Sequence, residues 1–400
     1  MVRFYDRAVT METHSIGFTV FLVFTGAALF ATVALFARQS LLVAYILLGM
    51  LLGPWGLGLV DDPDLVREIA EFGIVFLLFL LGLNLQPQDL LRMVRKTTVV
   101  TVASSFLFAM VAFAVAIAFG FSWIESLLIG GAATFSSTII GLKLLPTTVL
   151  HHQRTGEVII SILLLQDLFA IMLLLLVQSA SLVNETPAFD LLLPLIALPS
   201  LIFVAWFLNR YLLLPLIRRF DRIQEYVFLM TIGWCLGMAE LARSMGLSAE
   251  TGAFIAGVTL ASSPVSLFIS ESLKPLRDFF LILFFFSLGA GFNIGMVDEV
   301  ILPAVIIAGL LMVLKPVVFR VLLRRTGESD DRSREVGFRL GQMSEFSLLL
   351  AVIAIERQVI SDAASYLIQL ATLITFLVSS YIVVRRFPTP IAVSDQLRRD

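Results

Sequence analysis

The sequence predicts an all-α polytopic membrane protein of about 13 transmembrane helices, arranged as two inverted six-helix repeats with crossed, broken helices. Three observations lead there. Hydrophobic residues make up 59% of the 400 and charged residues 14%, and the mean hydropathy is +0.97, far from a soluble domain. Apolar segments succeed one another along the whole chain, near 16–37, 41–59, 69–86, 97–120, 124–146, 156–179, 189–214, 224–245, 248–264, 277–295, 300–323, 336–356 and 361–384. Motifs of the first half also return in the second at one common offset.

Taken in order, the N-terminal stretch carries Arg3, Asp6, Arg7 and Glu12 and no small-residue cleavage site, so the first segment reads as retained rather than as a signal peptide. The loops then fix orientation. Loops after odd-numbered segments, with the C-terminal end, hold 22 of the basic residues, among them Arg339 and the run Arg210, Arg218, Arg219 and Arg222; the opposite side holds 5. That asymmetry places the C-terminus in the cytoplasm and the N-terminus outside. The repeat pairs YILLGMLLGP at 45–54 with FIAGVTLASSP at 254–264, so that Gly49 matches Gly257. It pairs FLLFLLGLNL at 76–85 with ILFFFSLGAGFN at 282–293, so that Gly82 matches Gly289. The run Thr134 to Thr138 falls on Gly341 to Glu345. An odd number of segments separates each pair, which inverts one half relative to the other, as in secondary transporters.

The sixth segment, Gly156 to Gln178, is roughly 23 residues of almost unbroken apolar sequence, enough to cross a bilayer once. Gln166 and Asp167 sit at its middle. By helical rise Asp167 lies roughly 16 Å from the start, near the midplane of a core about 30 Å thick. An ionised Asp there costs about 2.5 to 3.5 kcal/mol even on the lenient insertion scale, so the residue reads as functional; the plainer reading is a neutral acid hydrogen-bonded between helices.

The repeat locates the rest of the site. The fifth segment clusters Gly130, Gly131, Thr134, Ser136, Ser137 and Thr138 at mid-membrane, and the twelfth places Gly341, Gln342, Ser344, Glu345 and Ser347 at the equivalent depth. Small and hydroxyl residues let a backbone leave the helical ladder beside a cavity or inside protein. Paired breaks point to an ion site, with close helix packing through small residues as the alternative. Lys315 lies about 12 Å from the cytoplasmic end of its segment, too deep for simple snorkelling, and is expected to pair with Asp167 or Glu345.

These residues resemble a known family. FLLFLLGLNLQPQDLLR, ATFSSTIIGLKLL, LLLQDLFAI, TGAFIAGVTLA, LRDFFLILFFFSLGAGFN and GQMSEFSLLL are similar, in order, to motifs of the monovalent cation:proton antiporter-2 family, most of all the membrane domain of Kef-type potassium efflux antiporters. The resemblance implies a sodium/proton antiporter-like fold and a homodimer in a bacterial cytoplasmic membrane. Segments 1–3 and 8–10 would form the dimerisation scaffold, and segments 4–6 and 11–13 a moving core. The repeat and the loop charges together give an extracytoplasmic N-terminus at 1–15, the first repeat at 16–181, a linker helix at 182–222, the second repeat at 223–386 and a cytoplasmic tail at 387–400. The chain departs from the pattern at Asn84, where relatives carry Glu, and at Ser344, where they carry a second Gly. No GxGxxG comes after the last segment, so a nucleotide-binding regulatory domain or subunit is expected to be missing from the chain.

The function this predicts is not enzymatic. It is exchange of K+ or Na+ for protons by alternating access, without a cofactor. A buried carboxylate holds either a proton or a dehydrated cation, not both, because protonation removes the charge that compensates desolvation. The predicted cation and proton site is Asp167 with Gln166, Thr134, Ser136 and Ser137, supported by Lys315, Glu345 and Gln342. Because Gln166 cannot titrate, one-for-one electroneutral exchange is expected. The rival readings are a K+ channel-like pathway, a sodium-coupled organic anion symporter of related fold, and a transport-dead sensor. One cysteine, Cys235, and three histidines provide neither a disulfide framework nor a zinc site. His151 and His152, Lys143, Glu240, Glu250 and the run Asp61, Asp62, Asp64 read as solvated or snorkelling charges, and nothing suggests nucleic-acid binding.

Overall fold

A computed structural model describes residues 16–37, 39–60, 63–84, 87–137, 154–180, 188–220, 222–261, 263 and 265–387. The N-terminal stretch at 1–15, Thr138, Lys143, His151, His152, the acids Asp61 and Asp62 and the tail from 388 lie outside them. The described residues are helical almost throughout, with α1 Ile16–Phe36, α2 Leu41–Leu52, α3 Pro63–Asn84, α4 Pro87–Ala118, α5 Trp123–Thr134, α6 Arg154–Ala180 and α7 Ala188–Leu208. A π-helical turn, Asn209–Leu213, leads from α7 into α8 Leu214–Arg219. Then come α9 Gln224–Ser244, α10 Ala249–Ala261, α11 Ser266–Ala290, α12 Val297–Arg325, α13 Asp330–Arg339, α14 Glu345–Glu356 and α15 Asp362–Arg386. Seven of the helices in the described residues are long and apolar enough to cross a bilayer.

Helices and hydropathy segments overlap and differ at their ends. α4 starts at Pro87, well before the apolar segment at 97, and α3 at Pro63, before the segment at 69. Proline is pre-organised for a first helical position, and a helix continues past the hydrocarbon edge because its hydrogen bonds are its own. Hydropathy marks the bilayer; the caps mark the helix. At the start of α5 Ser122 and Glu125 form a capping box, and the Glu125 carboxylate also accepts from Ser361 N at 3.0 Å, at the start of α15. One charge correction comes from α13. Arg339 stands among the cytoplasmic loop charges in the sequence, yet it is 1% exposed and bonded to Glu335 at 2.8 Å on the same helix. The helix begins six residues before its apolar segment, and removing Arg339 leaves the loop asymmetry intact.

The chain divides into two compact units, each drawing on both halves of the sequence. The first (1–31, 44–89, 182–292) is built around α3, which packs on α10 and α11, with α9 against α10. Its buried core includes Phe79, Leu83, Met238, Ala253, Ala256 and Leu260. Here the helices meet backbone to backbone. A Cβ on Gly49 would stand 2.0 Å from Phe286 O, and one on Gly289 2.0 Å from Ile46 O. A Cβ on Gly82 would stand 2.4 Å from Phe254 O, and one on Gly257 2.1 Å from Phe79 O. Close approach through glycine gives dispersion contact where no hydrophobic effect drives helices together. The second unit (32–43, 90–181, 293–400) packs α12 against α13 and α15, α14 against α15, and α6 against α5, α13 and α14.

Gly289→Val should lower stability by at least about 1 to 3 kcal/mol, because the carbonyl of Ile46 cannot move away without displacing its own helix. Gly309→Ala is the control: it has open space around it and a gain of about 0.5 to 1 kcal/mol is expected. Thermal unfolding in detergent compares them, and equal melting temperatures would remove the close-packing account.

Candidate functional site

Every predicted site residue lies in the second unit and is buried: Asp167 is 2% exposed, Glu345 5%, Thr134 8%, and Gln166, Ser136, Ser137, Lys315 and Gln342 are fully covered. Two helix breaks make the site. α5 stops at Thr134, and Phe135 is extended at φ −77°, ψ 149°. α13 stops at Arg339, and the chain is non-helical until Ser344, extended at φ −120°, ψ 157°, starts α14. Both breaks fall where the small and hydroxyl residues cluster, as the sequence predicts; the continuation of the first, from 138, lies outside the described residues.

The breaks leave backbone groups without helical partners, and neighbouring side chains supply them. Gln166 faces the first: its Nε2 donates to Thr134 O and its Oε1 accepts from Ser136 N, both at 3.1 Å. A primary amide bonded to the C=O of one residue and the N–H two residues on reproduces one rung of a β-ladder. The sequence suggests Gln166 as a cation ligand; its amide is committed at both ends to holding the unwound chain. Around the second break, Thr375 Oγ1 accepts from Met343 N at 3.0 Å and Ser379 Oγ donates to Gln342 Oε1 at 2.8 Å. Ser344 caps α14 by accepting from Phe346 N.

The two breaks are also tied to each other. Ser136 Oγ donates to Leu340 O at 2.9 Å, and Ser347 Oγ donates to Ala132 O at 2.7 Å. Lys315, in the middle of α12, closes the crossing: its ammonium donates to Phe135 O at 2.6 Å, Gln342 O at 2.9 Å and Ser136 Oγ at 3.3 Å. These three acceptors match the three N–H bonds of the group. The ring of Phe108 lies 5.4 Å from Nζ, within cation–π range. α5 and α13 both direct their C-terminal, partially negative ends at this point, which suits a cation. α13 can approach because Gly337 has no side chain; a Cβ there would lie 2.7 Å from Pro316 O. The described hydrogen bonds of Lys315 thus run to neutral oxygens of both breaks, and the expected pairing with Asp167 or Glu345 is not among them.

Glu345 stands in the first turn of α14, the positive end of that half-helix, with Ser344 Oγ 3.4 Å from its carboxylate. Asp167 comes directly after Gln166 on α6, the helix that packs on α5, α13 and α14. Such an arrangement can offer a carboxylate and hard oxygen donors to a small cation in a buried place. Sequence reasoning missed the contributions of Phe108 and of α15. The hydroxyls Thr372, Thr375 and Ser379 recur at spacings of three and four on an apolar helix, a polar stripe that could have been read as facing the twelfth segment.

Comparison with known proteins then finds a match over residues 20–385 to the family described as sodium/hydrogen exchanger, transmembrane. The protein named iron transporter MagA, from Paramagnetospirillum magneticum, is 28% identical over 353 residues, covering 86% of this chain and 79% of that protein. The structure of the sodium proton antiporter MjNhaP1 from Methanocaldococcus jannaschii at pH 8 aligns with a TM-score of 0.67 at 16% identity, over 93% of this chain and 96% of the other. An electron-microscopy structure of the same antiporter gives 0.59 at 15% identity, over 91% and 92%. At these identities the likeness is one of fold.

Gln166→Leu should cost about 2 to 6 kcal/mol, since it strands one buried N–H and one buried C=O at about 1 to 3 kcal/mol each. Gln166→Glu, which keeps the acceptor for Ser136, should cost less. Thermal unfolding, with hydrogen exchange at the Ser136 amide, reads the difference; an unprotected amide in the wild-type protein would contradict the assignment.

Proposed function

The chain belongs to the sodium/hydrogen exchanger family, and from that premise we propose that it exchanges a monovalent cation, K+ or Na+, for one proton by alternating access, with Asp167 as the carboxylate both ions share. The observation that carries this reading is a carboxylate 2% exposed in the middle of an otherwise apolar helix, beside two crossed helix breaks. Proton and cation compete because each neutralises the same charge, and a protein that exposes this site alternately to either side needs no further coupling device. Thr134 and Ser137 add hydroxyl and carbonyl oxygens, while Gln166 positions the backbone that carries them. Oxygen donors suit an alkali cation better than iron, for which imidazole and thiolate are stronger choices, so the name of the MagA relative is not carried over.

Electroneutrality rests on Lys315. Burying an ammonium is costly, but three acceptors, the ends of α5 and α13 and the Phe108 ring compensate the charge by means that do not depend on what Asp167 holds. Lys315 therefore keeps its proton throughout, and Asp167 alone switches. The first unit serves as the scaffold of a homodimer and the second as the transporting core, in a bacterial cytoplasmic membrane with the C-terminus inside. The glycine contacts support the inverted repeat. Exchanging the second segment for the ninth and the third for the tenth turns the Gly49–Gly289 approach into the Gly257–Gly82 approach.

Proteoliposomes test these statements together. Lumenal pH should respond to K+ or Na+, and not to Fe2+. Asp167→Asn should abolish the response while the protein remains folded. With the membrane potential clamped to different values by an ionophore for an ion that is not transported, the equilibrium proton gradient should not move. Exchange by Asp167→Asn would shift the site elsewhere, and a potential-dependent gradient would make Lys315 a second proton carrier.

A further inference from the structure

The inner end of α7 and α8 holds the basic residues that the transport reading leaves unused. Elsewhere on the same side, basic side chains meet acids: Arg320 and Arg324 reach Asp330 at 2.6 and 3.3 Å, Lys274 reaches Glu271, Arg277 reaches Asp278 and Arg332 reaches Glu328. The hydrogen bond from Arg320 holds the Asp330 carboxyl below its ordinary range. Arg210, Arg218, Arg219 and Arg222 are all exposed, and their described contacts are with rings: Arg210 over Trp206 at 5.8 Å and Arg219 over Phe220 at 5.9 Å.

Their placement is set by the π-helical turn. Asn209 points inward, 4% exposed, and its Nδ2 donates to Thr259 O at 2.6 Å on α10. That anchor leaves Arg210, Tyr211 and Leu212 outward. A widened turn takes in one extra residue, so the side chains beyond it point in new directions. Arg210 lies nine residues before the end of the apolar span Ala197–Arg219, about 13 Å along the helix by rise, so a guanidinium facing lipid there must extend towards the headgroup layer. Beside and beneath it Phe203, Trp206, Phe207 and Tyr211 form an exposed aromatic row, with ring centroids 4.9 to 6.4 Å apart. Aromatic side chains below, and above them arginines without an acid partner among the described residues, match the glycerol and phosphate levels of a lipid leaflet.

We propose that this face, from Phe203 to Phe220 with Arg222, is a binding site for anionic phospholipid, whose phosphates are held by Arg210, Arg218, Arg219 and Arg222. A free phosphate ion is too small to join arginines spread over more than about 13 Å of helix. A second copy of the chain docked through this face by a two-fold axis would set arginine against arginine, which is unfavourable.

The test uses the full chain in detergent, with phosphatidylglycerol, phosphatidylcholine or inorganic phosphate added. Phosphatidylglycerol should bind at least about tenfold more tightly than phosphatidylcholine by native mass spectrometry and raise the melting temperature, and inorganic phosphate should do neither. The variant R210Q/R218Q/R219Q/R222Q should lose the preference. Should it fail to fold, R218Q/R219Q should show a partial loss at an unchanged melting temperature in phosphatidylcholine. The proposal is overturned if the wild-type protein shows no preference, if phosphate stabilises as much as phosphatidylglycerol, or if the folded variants keep the full preference. It is equally overturned if the variants lose only their dimer, which would assign the face to a second copy.

Discussion

Backbone that leaves the helix at membrane depth must find new partners for its N–H and C=O groups, because hydrocarbon offers none. The second unit is arranged around that constraint. Two breaks, at 135–137 and 340–344, are placed side by side so that each supplies part of what the other lacks: Ser136 Oγ serves Leu340 O, and Ser347 Oγ serves Ala132 O. What remains is met by Gln166 for the first break, by Thr375 and Ser379 for the surroundings of the second, and by Lys315 for both. The polar side chains that look like a binding site from the sequence are thus, in large part, the means by which the backbone is allowed to be open there.

That division of labour separates structure from chemistry within one motif. Gln166 and Asp167 are adjacent, yet the amide is engaged with backbone while the neighbouring carboxylate is the group proposed to hold the ion. Lys315 likewise serves the carbonyl ends of two half-helices, donating to Phe135 O and Gln342 O. The first unit works by other means. Its helices approach closely where a glycine faces the backbone carbonyl of a neighbouring helix, and buried polar groups such as Thr231 mostly return to their own helix, Thr231 Oγ1 donating to Val227 O at 2.7 Å. A closely packed unit resists deformation, whereas a unit with exchangeable polar partners can adopt a second arrangement.

Much of this is legible in the sequence because the bilayer imposes length and polarity on each helix. Asp167 stands out for its cost in hydrocarbon, and the breaks for their clusters of Gly, Ser and Thr. The partners of Lys315 are not legible, since backbone carbonyls leave no mark in a sequence and a lysine in a membrane invites pairing with the nearest acid. Arg339 is misplaced for a related reason: a helix that starts outside the apolar segment carries a loop-like composition into a buried position. Gln166 reads as a ligand because an amide oxygen can bind a cation; only its geometry shows both ends of the amide taken by Thr134 and Ser136.

The central claim is that one carboxylate, Asp167, is shared by cation and proton. The direct measurement is the apparent KM for the transported cation as a function of pH in proteoliposomes. Competition for one group predicts that KM rises about tenfold per unit of falling pH below the pKa of the site, because each unit changes the free energy of protonation by about 1.36 kcal/mol, with the maximal rate unchanged. A KM that is independent of pH while the rate falls would contradict the account and place the proton and the cation on separate groups.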